Sequence, residues 1–271
     1  MAATDGLAWR ILPLVVADQQ VHLDYGQRLL AGNEAPQPPT LYWSQANRRG
    51  LVLGFSQKAA QLNVEALRQL ALPLYQRQAG GTAVLVGPDL LALDVFLPPG
   101  HPLILTDVVE SYRWLGETWV AALERLGVIT RLVPPAEARA QQALLKQPAT
   151  ASREAVLRRA CYGSLSPYEV VAPDQRKVVG LTMIRRRTGS LLQSGLLLRW
   201  ETEPLALVLG QTAEEQALLR RELPRRAVGL ETLADRAVSV AEVMAAFEQA
   251  LLARFFSPST PQKHSSSPAE T

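Results

Sequence analysis

The chain has 271 residues, of which 48% are hydrophobic and 20% are charged, as is usual for a folded globular protein. Its net charge of +3 is too small to predict nucleic-acid binding by itself. No apolar run approaches the roughly 20 residues that a membrane-spanning helix requires. The composition therefore predicts neither a nucleic-acid partner nor a membrane partner.

Cysteine and histidine are scarce in this sequence. Cys161 is the only cysteine, which excludes an intrachain disulfide and favours a reducing, cytoplasmic location. The three histidines, His22, His101 and His264, are scattered, and no Cys or His pair has the spacing of metal ligands. We therefore expect no metal site and no Ser-His-Asp triad.

The first half of the chain mixes strand and helix patterns. Short alternating or β-branched runs predict strands at residues 9–16, 41–43, 50–55, 83–86 and 90–97, with an extended segment at 74–77. Apolar residues spaced by three and four predict helices at residues 19–30 and 64–70. Segments rich in Gly, Pro and Asn predict loops at residues 31–40 and 98–102.

The second half shows the same mixture. Helical periodicity is strongest over residues 108–126 and recurs at 136–146, 152–159, 212–222 and 240–255. Strand patterns occupy residues 168–172, 177–184 and 191–200. Because strands and helices do not alternate strictly, this order predicts an α+β fold in which a mixed or antiparallel sheet is flanked by helices. We expect one domain over residues 1–256. The Ser- and Pro-rich residues 257–271 predict a disordered tail.

Cys161 is the first candidate for chemistry. Most free cysteines are small buried hydrophobes, and that interpretation stays open here. However, Cys161 lies in a small, polar, loop-like stretch that follows Arg158 and Arg159. A thiol on a loop beside positive charge is in the environment that favours a nucleophilic thiolate.

Lys177 begins a predicted strand immediately after a turn, where a lysine is usually a solvated edge charge. If this strand pairs with the segment that leads from Cys161, the ammonium lies near the thiol. It then assists thiolate formation or stabilises an oxyanion on a thioester carbonyl. Gly180, in the middle of the same strand, permits close approach of a ligand or marks a bulge.

A second candidate segment runs from Arg77 through Gly80 and Gly81 to Thr82 and Ala83. Two glycines between strands form a plain hairpin turn in many proteins. The same arrangement also presents backbone N–H groups to a carboxylate or phosphate, with Arg77 supplying positive charge. By itself this signal does not decide between the two.

Taken together in chain order, these segments resemble the family of lipoate–protein ligase A and the octanoyltransferases (the biotin/lipoate A/B protein ligase catalytic domain). The similar segments extend from Trp9 to Phe255 and include Trp9-Arg10, Leu23-Asp24, Tyr42-Trp43, Gly54-Phe55-Ser56-Gln57, Gln76 to Val84, Arg176 to Gly180 and Leu192-Gln193-Ser194-Gly195. The resemblance implies a ligase-like catalytic domain. It also implies substrate-binding roles for Arg77, Gly80, Gly81, Thr82, Ala83, Gly180, Gln193 and Gly195.

The octanoyltransferase branch is the more similar one. Its Ala-Cys-aromatic segment ahead of a Pro-x-Tyr-Glu strand is matched by Ala160-Cys161-Tyr162 and Pro167-Tyr168-Glu169. In that branch the cysteine carries an octanoyl group from acyl carrier protein to a lysine of a lipoyl domain. The resemblance therefore implies catalytic roles for Cys161 and Lys177 and no cofactor.

The chain departs from the family pattern at several positions. The family's His-Asp is replaced by Val86-Gly87, its second histidine by Ser194 and its first arginine by Gln76. Residues Leu181-Thr182-Met183 stand where the family has Ser-Ala-Gln. These positions are expected to line the acyl or nucleotide pocket, so they bear on substrate identity.

Three functions follow as hypotheses. The first is transfer of an octanoyl or lipoyl-type group through a thioester on Cys161, with Arg185 to Arg187 either attracting an acidic carrier protein or forming a solvated face. The second is an ATP-dependent lipoate–protein ligase, which needs ATP and Mg²⁺ and in which Cys161 is incidental. The third is a divergent binding protein that holds an acyl chain or a carrier domain without catalysis.

Overall fold

The computed structural model describes residues 9–32 and 37–256, so the predicted tail at residues 257–271 lies outside the described residues. The strands are β1 (Arg10–Ala17), β2 (Thr40–Ala46), β3 (Gly50–Leu53), β4 (Leu74–Gln76), β5 (Val84–Val86), β6 (Leu90–Leu97), β7 (Arg131–Leu132), β8 (Val170–Val171), β9 (Lys177–Arg186) and β10 (Gly189–Leu197). The α-helices are α1 (Gln19–Ala31), α2 (Val64–Gln69), α3 (Arg113–Arg125), α4 (Pro135–Ala143), α5 (Ala151–Leu157), α6 (Glu203–Leu209), α7 (Ala213–Glu222), α8 (Leu230–Ala234) and α9 (Val240–Phe256).

The strands form a large sheet and a small one. The large sheet has seven strands in the order β1-β2-β6-β10-β9-β8-β7, and only its β1–β2 pair is parallel among the described residues. The small sheet has the order β4-β3-β5, with β3 parallel to β4 and antiparallel to β5. The predicted α+β fold with mixed sheets and flanking helices is confirmed.

One face of the large sheet packs on helices α3 and α9. Trp43 of β2 meets Trp119 of α3 and Phe247 of α9 at ring-centroid distances of 6.0 and 5.4 Å. Because side chains alternate across a strand, the neighbours of these core residues emerge on the opposite face. On β6, Leu91 and Leu93 are buried in the main core, whereas Ala92 lines a cavity on the other side.

Some predicted elements are shorter in the structure. The helix predicted over residues 108–126 begins as α3 at Arg113, after a 3₁₀ turn whose first N–H groups, at Val109 and Glu110, donate to Asp107. The strand predicted at 168–172 is reduced to β8, because Tyr168 has a φ of 63° and cannot extend a ladder. Helices α6 and α8 have only seven and five residues, too few to produce a clear periodic pattern.

Candidate active site

A cavity of about 380 Å³ lies between the open face of the large sheet, the small sheet and helix α1. Its floor is formed by four residues that lie side by side on strands β2, β6, β10 and β9. Ser44 pairs with Ala92, Ala92 with Gly195, and Gly195 with Gly180. Small side chains along this row leave a trough above the sheet. A cavity of this size is within the range that holds a small-molecule ligand.

Cys161 lies in the wall of this cavity, at the start of a 3₁₀ turn (Cys161–Gly163), and is half-buried. Its N–H donates to the carbonyl oxygen of Ala83 at 2.8 Å, and the N–H of Ala83 donates to Arg159 at 3.0 Å. These bonds pair the cysteine segment with the residue that precedes β5. The thiol is thereby brought beside the Gly80-Gly81 loop, where a Cβ on Gly81 would stand 3.8 Å from Sγ of Cys161.

Arg77 supports that loop and approaches the thiol. Its guanidinium donates to the carbonyl oxygens of Gly80 at 3.2 Å and Thr82 at 3.0 Å, and Nη2 lies 4.0 Å from Sγ of Cys161. A fixed positive charge at this distance interacts favourably with a thiolate. Within the described residues, the N–H groups of residues 80–82 donate to no protein acceptor, and they are therefore available to a ligand.

Two glycines allow the loop to fit. A Cβ on Gly54 would stand 1.9 Å from the carbonyl oxygen of Gly81, a separation that no side chain permits. Gly81 has a φ of 93°, and a Cβ there would meet Nη2 of Arg77 at 2.7 Å. The Gly54-Phe55-Ser56-Gln57 motif is therefore the platform against which the Gly-Gly loop packs.

Lys177 lies behind the cysteine turn and is 1% exposed. Its Nζ donates to the carbonyl oxygens of Cys161 at 2.7 Å and Ser164 at 2.8 Å, and to the carboxylate of Glu169 at 3.0 Å. Because an ammonium has three hydrogens, these three partners leave none for a substrate oxygen. In this arrangement Lys177 anchors the turn that carries the thiol, whereas the sequence led us to expect that it assists thiolate formation or contacts an oxyanion.

Glu169 completes this anchor and is 2% exposed. Besides Lys177, its carboxylate accepts the N–H of Ser166 at 2.7 Å and of Leu181 at 3.3 Å. Burial raises the pKa of Glu169, and the positive charge of Lys177 opposes that rise. Glu169 belongs to the Pro167-Tyr168-Glu169 motif and Lys177 to the Arg176-Lys177 motif, eight positions further along the chain. The ion pair between their side chains joins the two motifs in one site.

Tyr162 connects the cysteine turn to the two predicted glycines. Its hydroxyl donates to the carbonyl oxygen of Gly195 at 2.6 Å, and its ring lies 4.9 Å from Nζ of Lys177. A Cβ on Gly195 would come within 2.9 Å of that hydroxyl, and a Cβ on Gly180 within 3.5 Å of the ring. Gly180 and Gly195 therefore make room for Tyr162, and both also line the cavity.

Asp94 is a cavity residue that sequence reasoning missed. It is 7% exposed, it lies opposite Gln193 in the β6–β10 ladder, and Nε2 of Gln193 donates to its two oxygens at 3.0 and 3.1 Å. Burial raises the pKa of Asp94 to about 7, and the hydrogen bond from Gln193 opposes that rise in part. The sequence offers one indication of this residue: Asp94 is the single acidic residue in the otherwise apolar strand at residues 90–97.

His22 of α1 is the second polar residue that was not singled out. Its Nε2 lies 3.2 Å from the carbonyl oxygen of Gln45, so Nε2 carries the hydrogen, and Nδ1 accepts from the hydroxyl of Tyr42 at 2.8 Å. Burial lowers the pKa of His22 and raises the pKa of Tyr42 to about 12. A neutral histidine therefore forms part of the cavity wall.

Two departures from the family pattern have clear structural counterparts. The hydroxyl of Ser194 accepts from Nε1 of Trp119 at 3.0 Å and donates to Leu93 at 3.3 Å, so it points into the main core. The side-chain amide of Gln76 donates to the carbonyl oxygens of Phe55 and Gln57, both at 3.1 Å. Ser194 and Gln76 therefore serve packing and loop structure.

Neither a metal cluster nor a membrane span is found in the described part of the chain. No group of three or more His, Cys, Asp or Glu side chains there is arranged to hold a metal ion. None of the helices in residues 9–32 and 37–256 is long and apolar enough to cross a membrane.

Comparison with known proteins gives the family. Residues 18–252 match the model of the lipoyl protein ligase A/B catalytic domain. The octanoyltransferase LipM of Kyrpidia tusciae is 33% identical over 233 residues, which cover 83% of this chain and 80% of that protein. LipM of Lysinibacillus sphaericus is 30% identical over 213 residues, which cover 78% and 73%. The chain belongs to the lipoyl protein ligase A/B catalytic domain family and is an enzyme of that family.

Solved structures show the same fold. The bipartite lipoate protein ligase of Thermoplasma acidophilum superposes with a TM-score of 0.70 at 17% identity, covering 91% of this chain and 83% of that one. A lipoate-protein ligase A bound with ATP gives a TM-score of 0.64 at 17% identity, covering 90% and 83%. At this level of identity the likeness concerns the fold.

Proposed function

We propose that this protein is an octanoyltransferase that carries an octanoyl or lipoyl-type group as a thioester on Cys161. The observation that carries the proposal is the position of the thiol, in the wall of a cavity of about 380 Å³ and 4.0 Å from Arg77. The named LipM relatives support the same activity. The donor is an acylated carrier protein, and the acceptor is a lysine of a lipoyl domain.

The reaction has two steps. In the first, the Cys161 thiolate attacks the thioester carbonyl, the new C–S bond forms, and the carrier's sulfur leaves and takes a proton. In the second, the acceptor lysine's neutral amine attacks the acyl-cysteine, the C–N bond forms and the C–S bond breaks, and the proton lost by the amine passes to the departing Cys161 sulfur. No cofactor enters either step, since the donor thioester is already activated.

Charge that develops on the carbonyl oxygen needs donors close to Cys161. Gly80, Gly81, Thr82 and Arg77 line the cavity on that side, and the N–H groups of residues 80–82 have no acceptor among the described residues. Backbone donors in a fixed loop are effective because they do not have to reorganise during the reaction. We assign the oxyanion contact to this loop and a positioning role to Lys177, whose hydrogens are already used.

A second cavity, next to the first one, offers an approach for the donor's arm. This cavity of about 470 Å³ shares Thr82 and Arg158 with the first one and is also lined by Lys58. Neither Arg158 nor Lys58 forms an ion pair with another described residue. Two unpaired cations suit the phosphate of a carrier-protein prosthetic arm. Arg185, in contrast, donates to Leu105 and Ser111, so it is less suited to attract a carrier.

The test is the intact mass of the protein after incubation with octanoyl-acyl carrier protein, beside Cys161→Ser. A gain of one octanoyl group that the variant lacks, followed by transfer to a lipoyl-domain lysine, is the expected result. No gain with the thioester, but lipoylation with free lipoate and ATP, would instead establish a ligase. If the protein reacts neither with octanoyl-acyl carrier protein nor with free lipoate and ATP, the third hypothesis, a non-catalytic binding protein, is favoured.

A further inference from the structure

The surface beside the thiol carries an aromatic side chain that faces solvent. Phe55 is 70% exposed and belongs to none of the hydrophobic clusters of the described residues. Its N–H donates to the carbonyl oxygen of Ala79 at 3.1 Å, and the preceding residue, Gly54, packs against Gly81. A Cβ on Gly81 would in turn stand 3.8 Å from Sγ of Cys161. The backbone of Phe55 is therefore fixed against the Gly-Gly loop, close to the nucleophile.

Two exposed cations lie on the same elements. Lys58 follows Phe55 in the same segment, and Arg186 lies at the end of β9. Nη2 of Arg186 donates to Oε1 of Gln78, in the Gly-Gly loop, at 3.4 Å. Neither Lys58 nor Arg186 forms an ion pair with another described residue. Their charges are therefore available to a partner.

The segments that form this surface contain no acidic residue. Asp and Glu are absent from residues 54–64, which include Phe55, from residues 73–87, which include the Gly-Gly loop, and from residues 158–168, which include the cysteine turn. Exposed aromatic side chains and arginines are typical of protein-binding surfaces. A surface whose unpaired charges are all positive is complementary to an acidic partner.

The length of the reacting groups indicates which partner this is. The acceptor's amine is at the end of a lysine side chain, whose stem has only four carbons. To reach an acyl group on Cys161, the backbone of the acceptor domain must come within one lysine length of the sulfur. The donor's thioester is at the end of a longer prosthetic arm, so the body of the carrier protein can stay further away. Phe55 lies in the area that the acceptor has to cover, because Gly54 touches the loop beside the sulfur.

We infer that the lipoyl-domain acceptor docks on this surface, with an apolar contact on Phe55 and with acidic side chains near its lysine set against Lys58 and Arg186. The apolar contact contributes affinity, and the cations accelerate and orient the encounter. This inference rests on the proposed acyl transfer through Cys161 and names the place where its second partner binds.

The test measures the second step alone. The protein is loaded with octanoyl-pantetheine, and loss of the octanoyl group from Cys161 is followed by intact mass with an unmodified lipoyl domain or with Nα-acetyl-lysine amide. The small amine needs no docking surface, so the ratio of the two rate constants isolates the contribution of docking. We expect Phe55→Ser to lower this ratio about 10-fold or more, as for an aromatic anchor of an interface.

Arg186→Glu tests the charge separately. It should lower the ratio several-fold, and the loss should shrink as the salt concentration rises, because salt screens the attraction. Arg125→Glu and Ile129→Ser are matched controls. Arg125 is an exposed residue of α3, which packs on the face of the large sheet opposite the cavity, and Ile129 follows that helix and is 77% exposed. Both controls should leave the ratio unchanged.

An unchanged ratio in both Phe55→Ser and Arg186→Glu would overturn the inference, whether the two rate constants stay at the parent's level or fall together. Efficient loading of Cys161 in the same experiment would leave the proposed transfer intact. Failure of octanoyl-pantetheine to load the parent protein would instead refute the transfer.

A second measurement is independent of catalysis. With p-benzoylphenylalanine in place of Phe55, illumination should crosslink the protein to the lipoyl domain, whereas the same group in place of Ile129 should give no crosslink. Crosslinking from position 129 but not from position 55 would place the acceptor elsewhere and overturn the inference.

Discussion

Replacing Asp94 by asparagine should change how the stability of the protein depends on pH. The pKa of Asp94 is raised by burial from 3.8 to about 7 in the folded protein. Below pH 4 the carboxyl is protonated in both states. Between pH 4 and pH 7 the unfolded chain ionises while the folded protein stays protonated, so stability falls as pH rises, and above pH 7 the loss is complete.

The magnitude follows from the size of the shift. A pKa difference of about 3 units, at 1.36 kcal/mol per unit, corresponds to at most about 4 kcal/mol. The asparagine side chain of the Asp94→Asn variant does not titrate and keeps an oxygen for the amide of Gln193. Relative to Asp94→Asn, the parent protein should therefore lose unfolding free energy between pH 4 and pH 8, by at most about 4 kcal/mol.

Urea unfolding curves of both proteins at several pH values measure this difference directly. Asp24→Asn, which replaces an exposed aspartate on the neighbouring helix, should follow the parent protein at every pH. A constant offset between Asp94→Asn and the parent across that range would refute the reasoning, because it would mean that Asp94 ionises normally in its pocket.

Three further substitutions test other parts of the site. Lys177→Met should lower the unfolding free energy by about 3–5 kcal/mol, because it leaves the buried carboxylate of Glu169 without its partner. The double variant Lys177→Met with Glu169→Leu should recover part of this loss, as measured by urea unfolding. Gly54→Ala should displace the Gly81 loop and lower the rate of octanoyl loading at least about 10-fold while the far-UV circular dichroism is retained, and an unchanged rate would contradict the close approach. Arg158→Ala should raise the KM for the carrier-protein donor several-fold but leave the KM for a pantetheine donor, which has no phosphate, unchanged. An equal rise in KM for both donors would rule out a phosphate contact.

Local sequence patterns were enough to predict most of the fold. Four predicted elements match the structure within two residues at each end: the strands at residues 90–97 (β6) and 177–184 (β9), and the helices at 19–30 (α1) and 212–222 (α7). In these segments the hydrophobic period and the residues at the ends of the element indicate the same boundaries. The pairing of β1 with β2 in parallel, and the separation of β3, β4 and β5 into a second sheet, depend on long-range contacts. No local pattern specifies contacts of that kind.

The site was predictable where its residues belong to motifs. Cys161, Arg77 and the Gly80-Gly81 loop were each singled out from a motif, and the structure brings them together. The position of Lys177 was predicted, but its bonding was not, because the three acceptors around Nζ come from a turn and a carboxylate whose geometry the sequence does not specify. Asp94 was missed because its environment is created by strand register, which brings Gln193 opposite from 99 residues away.

The cysteine turn bridges the two sheets. On its N-terminal side, the backbone of Cys161 bonds to Ala83, which leads directly into the small sheet. On its C-terminal side, Tyr162 is bound to Gly195 of the large sheet. Transient separation of the sheets would free the turn at one end and expose its sulfur, in the manner of a local opening reaction. Because the chain has one thiol, its alkylation rate at increasing denaturant reports how tightly the two sheets are docked, without any added label.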